Sequence, residues 1–218
     1  MTPALNEIES MVLKAARGAG LTWGLAEEMA QAARFLADYG FDWAAPVVDC
    51  LAEVDRQRGE VPPPIECDGT WIPAGTEPLS PALCGPLLSD LAGTITIDKP
   101  LRFGRMAEPL LLLPFAGRSA ERLHCQFRLA WPGADFTCSG SGLWCAPEID
   151  LPTEVEKVVF SLDEAAIPAT RRIDRGLERQ PIADHLRRQL EAWVHRTYVP
   201  ASLESRLAGA GAGLTDND

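Results

Sequence analysis

From Leu5 to Gly40 apolar residues recur at three- and four-residue steps, whereas beyond Gly93 they tend to alternate, so helices are expected first and strands later. Ile8, Met11, Val12, Ala15, Ala16 and Ala19 fall on one stripe of a first helix. Asn6 and Glu9 have the form of a capping box, which starts that helix at Asn6. Gly18 and Gly20 end it, and Thr22 caps a second helix over Trp23 to Tyr39. That second helix carries a polar strip of Glu27, Gln31, Arg34 and Asp38. Leu25, Met29, Ala32 and Leu36 make a bulky apolar face, and Ala26, Ala30, Ala33 and Ala37 a small-residue face. A helix apolar on two sides is enclosed on two sides. A third helix runs from Trp43 to Arg58 on the stripe Val47, Val48, Leu51 and Val54, with Pro46 in its first turn and Gly59 as its stop.

Glu60 to Pro86 is dense in proline and reads as an extended surface connection pinned by Trp71 and Ile72, followed by a short helix from Ser80 or Pro81 to Leu91. The segments Thr94–Ile97, Leu110–Phe115 and Arg122–Trp131 read as strands. A turn at Trp131–Ala134 returns Asp135–Ser139 antiparallel, and Gly142–Ala146 and Lys157–Leu162 add further strands. A last helix from Pro181 to Tyr198 presents Ile182, Leu186, Leu190, Trp193 and Val194, a stripe expected to cover the sheet. The expected fold is α+β: an N-terminal helical unit (1–59), a proline-rich connector with a short helix (60–92), an antiparallel sheet of about four to six strands with its C-terminal helix (93–200), and a small-residue tail (201–218).

One carboxylate breaks the sorting of the second helix. Glu28 falls between Phe35 and Tyr39 on the wheel, where an unpaired charge is costly, so a cation or a raised pKa is expected. Lys14 and Arg17 are the nearest cations in sequence. The simpler reading is that Glu28, in the first two turns, interacts with the helix dipole. The sharper one makes Glu28, Arg17 and Trp23 a polar site at the mouth of the helical corner. Asn6-Glu7-Ile8-Glu9, Lys14–Gly20, Trp23–Glu28 and the tail Arg206–Asp218 together resemble a bacterial family known only as a domain of unknown function. The resemblance implies no activity and no site residues.

Composition narrows the function classes. The chain has 218 residues, 46% of them apolar and 23% charged, enough for a sizeable core. A formal net charge of -11 argues against nucleic acid and anionic membranes as partners, and the arginines from Arg171 to Arg188 are interleaved with acids. No stretch is apolar over the length needed to span a bilayer, and no leader precedes the first helix, so a cytoplasmic protein with reduced thiols at its six cysteines is expected.

Candidate chemistry is sparse. His124, Cys125, Cys138 and Cys145 lack the local chelate spacing of a zinc site, and no metal is expected. Ser139 and Ser141 lack the flanking glycines of a nucleophile elbow, and no phosphate loop is present, so no cofactor is called for. A histidine base would have to be His124, His185 or His195. In the tail, Asp216 and Asp218 are candidates for binding a cation or a basic group on a neighbouring subunit. These readings point to a cytoplasmic metabolite-binding or accessory protein of bacterial metabolism, with a small-molecule ligand and self-association through the alanine face of the second helix. The alternative is a cofactor-independent hydrolase or lyase using Glu28 and Arg17.

Overall fold

A computed structural model describes residues 2–164, 171–176 and 181–198. Three helices open the chain: α1 (Leu5–Ala19), α2 (Trp23–Asp38) and α3 (Ala44–Arg56). The start of α1 lies one residue earlier than the Asn6 expectation, because Glu7 rather than Glu9 reaches back, accepting the Ala4 N–H at 2.6 Å. Glu9 is instead turned to Arg34 of α2, at 2.7 Å. The helix-ending glycines Gly20 (φ 115) and Gly59 (φ 80) lie against each other: a Cβ on Gly59 would stand 2.7 Å from the Gly20 carbonyl oxygen. Any side chain at either position would force the corner open.

Both apolar faces of α2 are occupied within the chain, since α1, α3, α4 (Pro81–Leu91) and α5 (Leu113–Leu123) all pack on it. Ala26, Ala30, Ala33 and Ala37 are buried by these neighbours. The expected self-association through that face is therefore corrected: the small side chains admit the chain's own helices, and no free surface is left there for a second copy.

The proline-rich connector contains more regular structure than expected. Strands β1 (Ile65–Cys67) and β2 (Thr70–Ile72) form a hairpin across Asp68 (φ 48) and Gly69 (φ 75). An Asp-Gly pair supplies the left-handed backbone that a two-residue hairpin turn requires. The short helix after it is α4, with Pro81 in its first turn.

Two strand expectations give way to helix. Thr94–Ile97 holds the end of a 3-10 turn (Ala92–Thr94) and a loop, and Leu110–Phe115 forms a 3-10 turn (Pro109–Leu112) running into α5. A continuous apolar run has no period to separate a buried helix from a buried strand. Pro114 settles nothing by itself, because the first turn of a helix needs no N–H from it. His124 (φ 53) caps α5, so the alternating strand begins only afterwards.

The sheet has eight strands in the order β1-β2-β3-β9-β5-β6-β7-β10, all neighbours antiparallel except β2 and β3. It takes in β3 (Leu101–Phe103), β5 (Phe127–Trp131), β6 (Ala134–Ser139), β7 (Gly142–Cys145), β9 (Val158–Leu162) and β10 (Arg171–Ile173). β4 (Met106–Ala107) and β8 (Glu154–Val155) pair separately. Phe127, Leu129 and Trp131 share a buried face, with the Phe127 ring 4.6 Å from that of Phe160 on β9. The molecule is thus α+β, with a wider sheet than the four to six strands expected.

The last helix, α6 (Asp184–His195), does not cover the sheet. Its buried Leu190 and Trp193 pack on α1 and α3, and α5 takes the place against β5 and β6. At Gly18 the approach is close enough that a Cβ would lie 1.9 Å from the Trp193 carbonyl oxygen. The indole of Trp193 donates to Asp55 at 3.0 Å, and Arg196 reaches the same carboxylate at 2.5 Å. Together they hold Asp55 below the usual carboxylate range.

Candidate functional site

Among the described residues a pocket of about 410 Å³ lies between the end of α3 and the proline-rich connector. Alpha-helical spacing places Asp49 and Glu53 one turn apart on α3, with Cys50 beside Asp49 and Arg56 and Gln57 at the helix end. Val61, Pro62, Pro73, Pro78 and Pro81 form much of the facing wall. That wall is fixed to the sheet side of the molecule: the Leu79 N–H donates to the Arg105 carbonyl at 2.8 Å, and the Ala107 N–H to the Leu79 carbonyl at 3.1 Å. Arg105 also clamps the Thr76 carbonyl at 3.0 Å while paired with Glu154 at 2.6 Å. The proline-rich connection lies on the surface, and part of it walls this pocket.

Glu108 lines this pocket from the end of β4. Its backbone is left-handed (φ 44, ψ 56), an uncommon state for a residue with a side chain. Two backbone bonds hold it there: its N–H donates to the Thr153 carbonyl at 2.7 Å, and its carbonyl accepts from Leu111 at 3.0 Å. The following Pro109 opens the 3-10 turn that leads into α5. The residue is 7% exposed, and among the described residues its carboxyl has neither a hydrogen-bond donor nor a cation beside it. Burial, reinforced by the negative charges of Asp49 and Asp42, pushes its pKa up to about 7.

The other polar groups divide into two sets. Glu53 is held by Arg56, with bonds of 2.9 and 2.5 Å, and by Gln57. Those donors lower its pKa against the opposing effect of burial. Arg56 also faces Glu77 at 3.4 Å, so the single arginine of the lining is already shared between two carboxylates. Deeper in, the Cys50 thiol lies 3.9 Å from the Ser80 hydroxyl. Burial pushes that thiol up to about 12, so it is protonated at neutral pH and is no nucleophile in this state. The pocket therefore offers one buried acid able to gain or lose a proton near pH 7, and no activated nucleophile.

The residues singled out from the sequence lie elsewhere. Glu28 faces Arg118 of α5 at 2.6 Å, and Arg118 also donates to Gln31 and lies over the Phe115 ring at 4.8 Å. Arg17 donates to the Leu21 carbonyl and sits over the Trp23 ring at 5.1 Å. The corner thus holds two separate pairings, Glu28 with Arg118 and Arg17 with Trp23. Asp216 and Asp218 lie outside the described residues. His124 caps α5 through its backbone, and the His195 ring packs against Tyr198 at 5.7 Å. Cys138 and Cys145 are buried in the sheet, where desolvation raises both thiols, and among the described residues no three His, Cys, Asp or Glu side chains converge as metal ligands.

Glu108 went unnoticed in the sequence, although a signal exists: a carboxylate directly before proline, inside Leu101–Phe115, where apolar residues dominate. No spacing rule links it to Asp49 or to the prolines, because only the tertiary fold brings them together.

Residues 4–55 match the model of a family described as a protein of unknown function (DUF3726). The match covers α1, α2 and nearly all of α3, including Asp49, Cys50 and Glu53 of the pocket, whereas Glu108 and the proline wall lie beyond it. It takes in the N-terminal residues that carry the resemblance and stops short of the tail. No curated protein and no solved structure matches the chain. Among the described residues, no helix is long and apolar enough to cross a membrane.

Proposed function

We propose that this protein binds a small molecule in the proline-walled pocket, with Glu108 as the group that recognises it. The observation that carries the reading is an acidic residue only 7% exposed as a whole, held by an uncommon backbone state and lining a cavity, with neither a hydrogen-bond donor nor a cation at its carboxyl among the described residues. A protein that only needed to fold would be more stable with an apolar residue there. The volume of about 410 Å³ suits a metabolite-sized ligand. In this reading the protein is a cytoplasmic binding or accessory component of bacterial metabolism.

A second reading is favoured by one property of the same residue. A carboxyl that titrates near 7 matches the requirement of a general acid or base at neutral pH, which makes a cofactor-independent lyase, hydrolase or isomerase the alternative. The corner formed by Glu28, Arg17 and Trp23 is the competing location for either function.

A thermal-shift screen of metabolite-sized compounds against wild type, Glu108→Gln and Glu28→Gln separates these readings. Hits lost in Glu108→Gln and kept in Glu28→Gln are expected. The reverse pattern moves the site to the corner. Turnover of a confirmed hit, with a rate that follows one ionisation near pH 7, selects the enzyme.

A further inference from the structure

We infer that the ligand of this pocket is an organic cation: a protonated amine carried on a compact apolar body. The inference rests on the proposed binding role of the pocket and names the chemistry of what fills it. Five carboxylates line the cavity, Asp49, Glu53, Glu60, Glu77 and Glu108, against the single cation of Arg56. Arg56 is engaged by both Glu53 and Glu77, so its charge is not available to an incoming anion. An anionic ligand would enter a cavity whose carboxylates outnumber its one guanidinium five to one, which costs affinity directly.

Glu108 supplies an observation independent of the acid count. It is more than nine-tenths buried, lines the cavity, and has no donor or cation beside its carboxyl among the described residues. Asp49, across on α3 and exposed to solvent, has no cation partner among them either. A buried carboxylate needs a paired charge or donated hydrogen bonds. A primary ammonium between Glu108 and Asp49 supplies both through its three N–H donors. The apolar body is specified by the rest of the lining: Val61, Pro62, Pro73, Pro78 and Leu79 give carbon surface without competing donors. A metal ion is the poorer fit, because among the described residues no three His, Cys, Asp or Glu side chains are grouped to coordinate one.

The test uses three probes of equal body and different head: cyclohexylammonium, cyclohexanol and cyclohexanecarboxylate. Calorimetric titration at pH 8 keeps the amine protonated and the carboxylate ionised. The expected result is binding of cyclohexylammonium at least tenfold tighter than of either other probe, weakened at least tenfold in Glu108→Gln. The near-ultraviolet circular dichroism of the variant serves as the check that it is folded. Equal or tighter binding of the alcohol or the carboxylate, still sensitive to Glu108→Gln, overturns the ligand class and leaves the pocket as the site. Ammonium binding that Glu108→Gln leaves unchanged overturns the inference, as does failure of all three probes to bind at millimolar concentration. In those last two cases the thermal-shift comparison above decides separately whether the pocket is the site.

Discussion

Glu28 and Glu108 are two acids that the protein treats oppositely. Glu28 projects from the regular face of α2, where an arginine one helix away can reach it, and its side chain remains 40% exposed. Glu108 is placed by a strained turn whose backbone is tied on both sides, and among the described residues no cation reaches it. Helix geometry leaves neighbouring elements free to supply a partner from many positions along their length. A residue fixed in a loop over a cavity has only the partners that the cavity wall provides, and the one cation of this wall, Arg56, is engaged by Glu53 and Glu77. An acid left uncompensated in a folded core is the stronger sign of a binding role, because it costs stability and gains nothing from the protein itself.

That cost is measurable, and it gives the largest effect expected from the comparison. A rise from 4.5 to about 7 at Glu108, at about 1.4 kcal/mol per unit, amounts to on the order of 3 kcal/mol lost when the carboxyl ionises in the folded state. The folded protein holds this proton more tightly than the unfolded chain does. The contribution of Glu108 is therefore most favourable below about 4.5 and is lost as pH rises through about 7. Asp49 on α3 and Asp42 before it face Glu108 and reinforce the effect, while the protonated Cys50 thiol adds no charge. Glu108→Gln removes the ionisation, so the variant should be more stable than wild type by up to about 3 kcal/mol at pH 8 and nearly equal to it at pH 4.5. Urea denaturation at the two pH values measures this. Equal stability at pH 8 would mean that a donor or cation already satisfies the carboxylate.

Arg118→Met gives the next largest effect. It keeps the packing on Phe115 but leaves Glu28 and Gln31 without their donor, so a loss of about 1 kcal/mol is expected by the same denaturation. Glu28→Gln keeps a hydrogen-bond acceptor for Arg118 and should cost less, roughly 0.5 kcal/mol or below, as for other half-exposed pairs. A larger loss for Glu28→Gln than for Arg118→Met would reverse the ranking and restore the corner as the more consequential of the two regions.

The helical part of the chain was the more legible in the sequence, and the reason is local. Val12, Ala16, Ala33 and Val54 announce buried faces through short-range periodicity, and Gly20 and Gly59 announce where helices stop. The strand pattern from Phe127 to Leu162 is legible for the same reason. The run Leu110–Phe115 was not, because burial on all sides erases the period. Nor was the partner of Glu28, since Arg118 is distant in sequence and only the packing of α5 on α2 brings the two together. Glu108 was hidden most completely. Its importance lies in the absence of a partner, and residue spacing carries no record of a contact that is not made.

The smallest expected effect probes how tightly the pocket couples its own acids. Asp49 raises the Glu108 pKa through charge alone, so Asp49→Asn should move the Glu108 midpoint downwards from about 7. The displacement should be a fraction of a unit, because burial is the larger cause and Asp49 itself faces solvent. Carbon-detected NMR titration of the Glu108 side-chain carboxyl reads the midpoint directly. Raising the salt concentration should shrink the difference between wild type and Asp49→Asn while leaving most of the elevation in place, since ions screen the acid across the cavity but do not rehydrate a buried carboxyl. A midpoint that falls to the ordinary range with Asp49→Asn alone would show that repulsion between the two acids, and not burial, sets the titration. Glu108 and Asp49 would then act as a coupled pair sharing one proton, and the distinction between the lone acid of the pocket and the paired acid of the corner would have to be redrawn around that coupling.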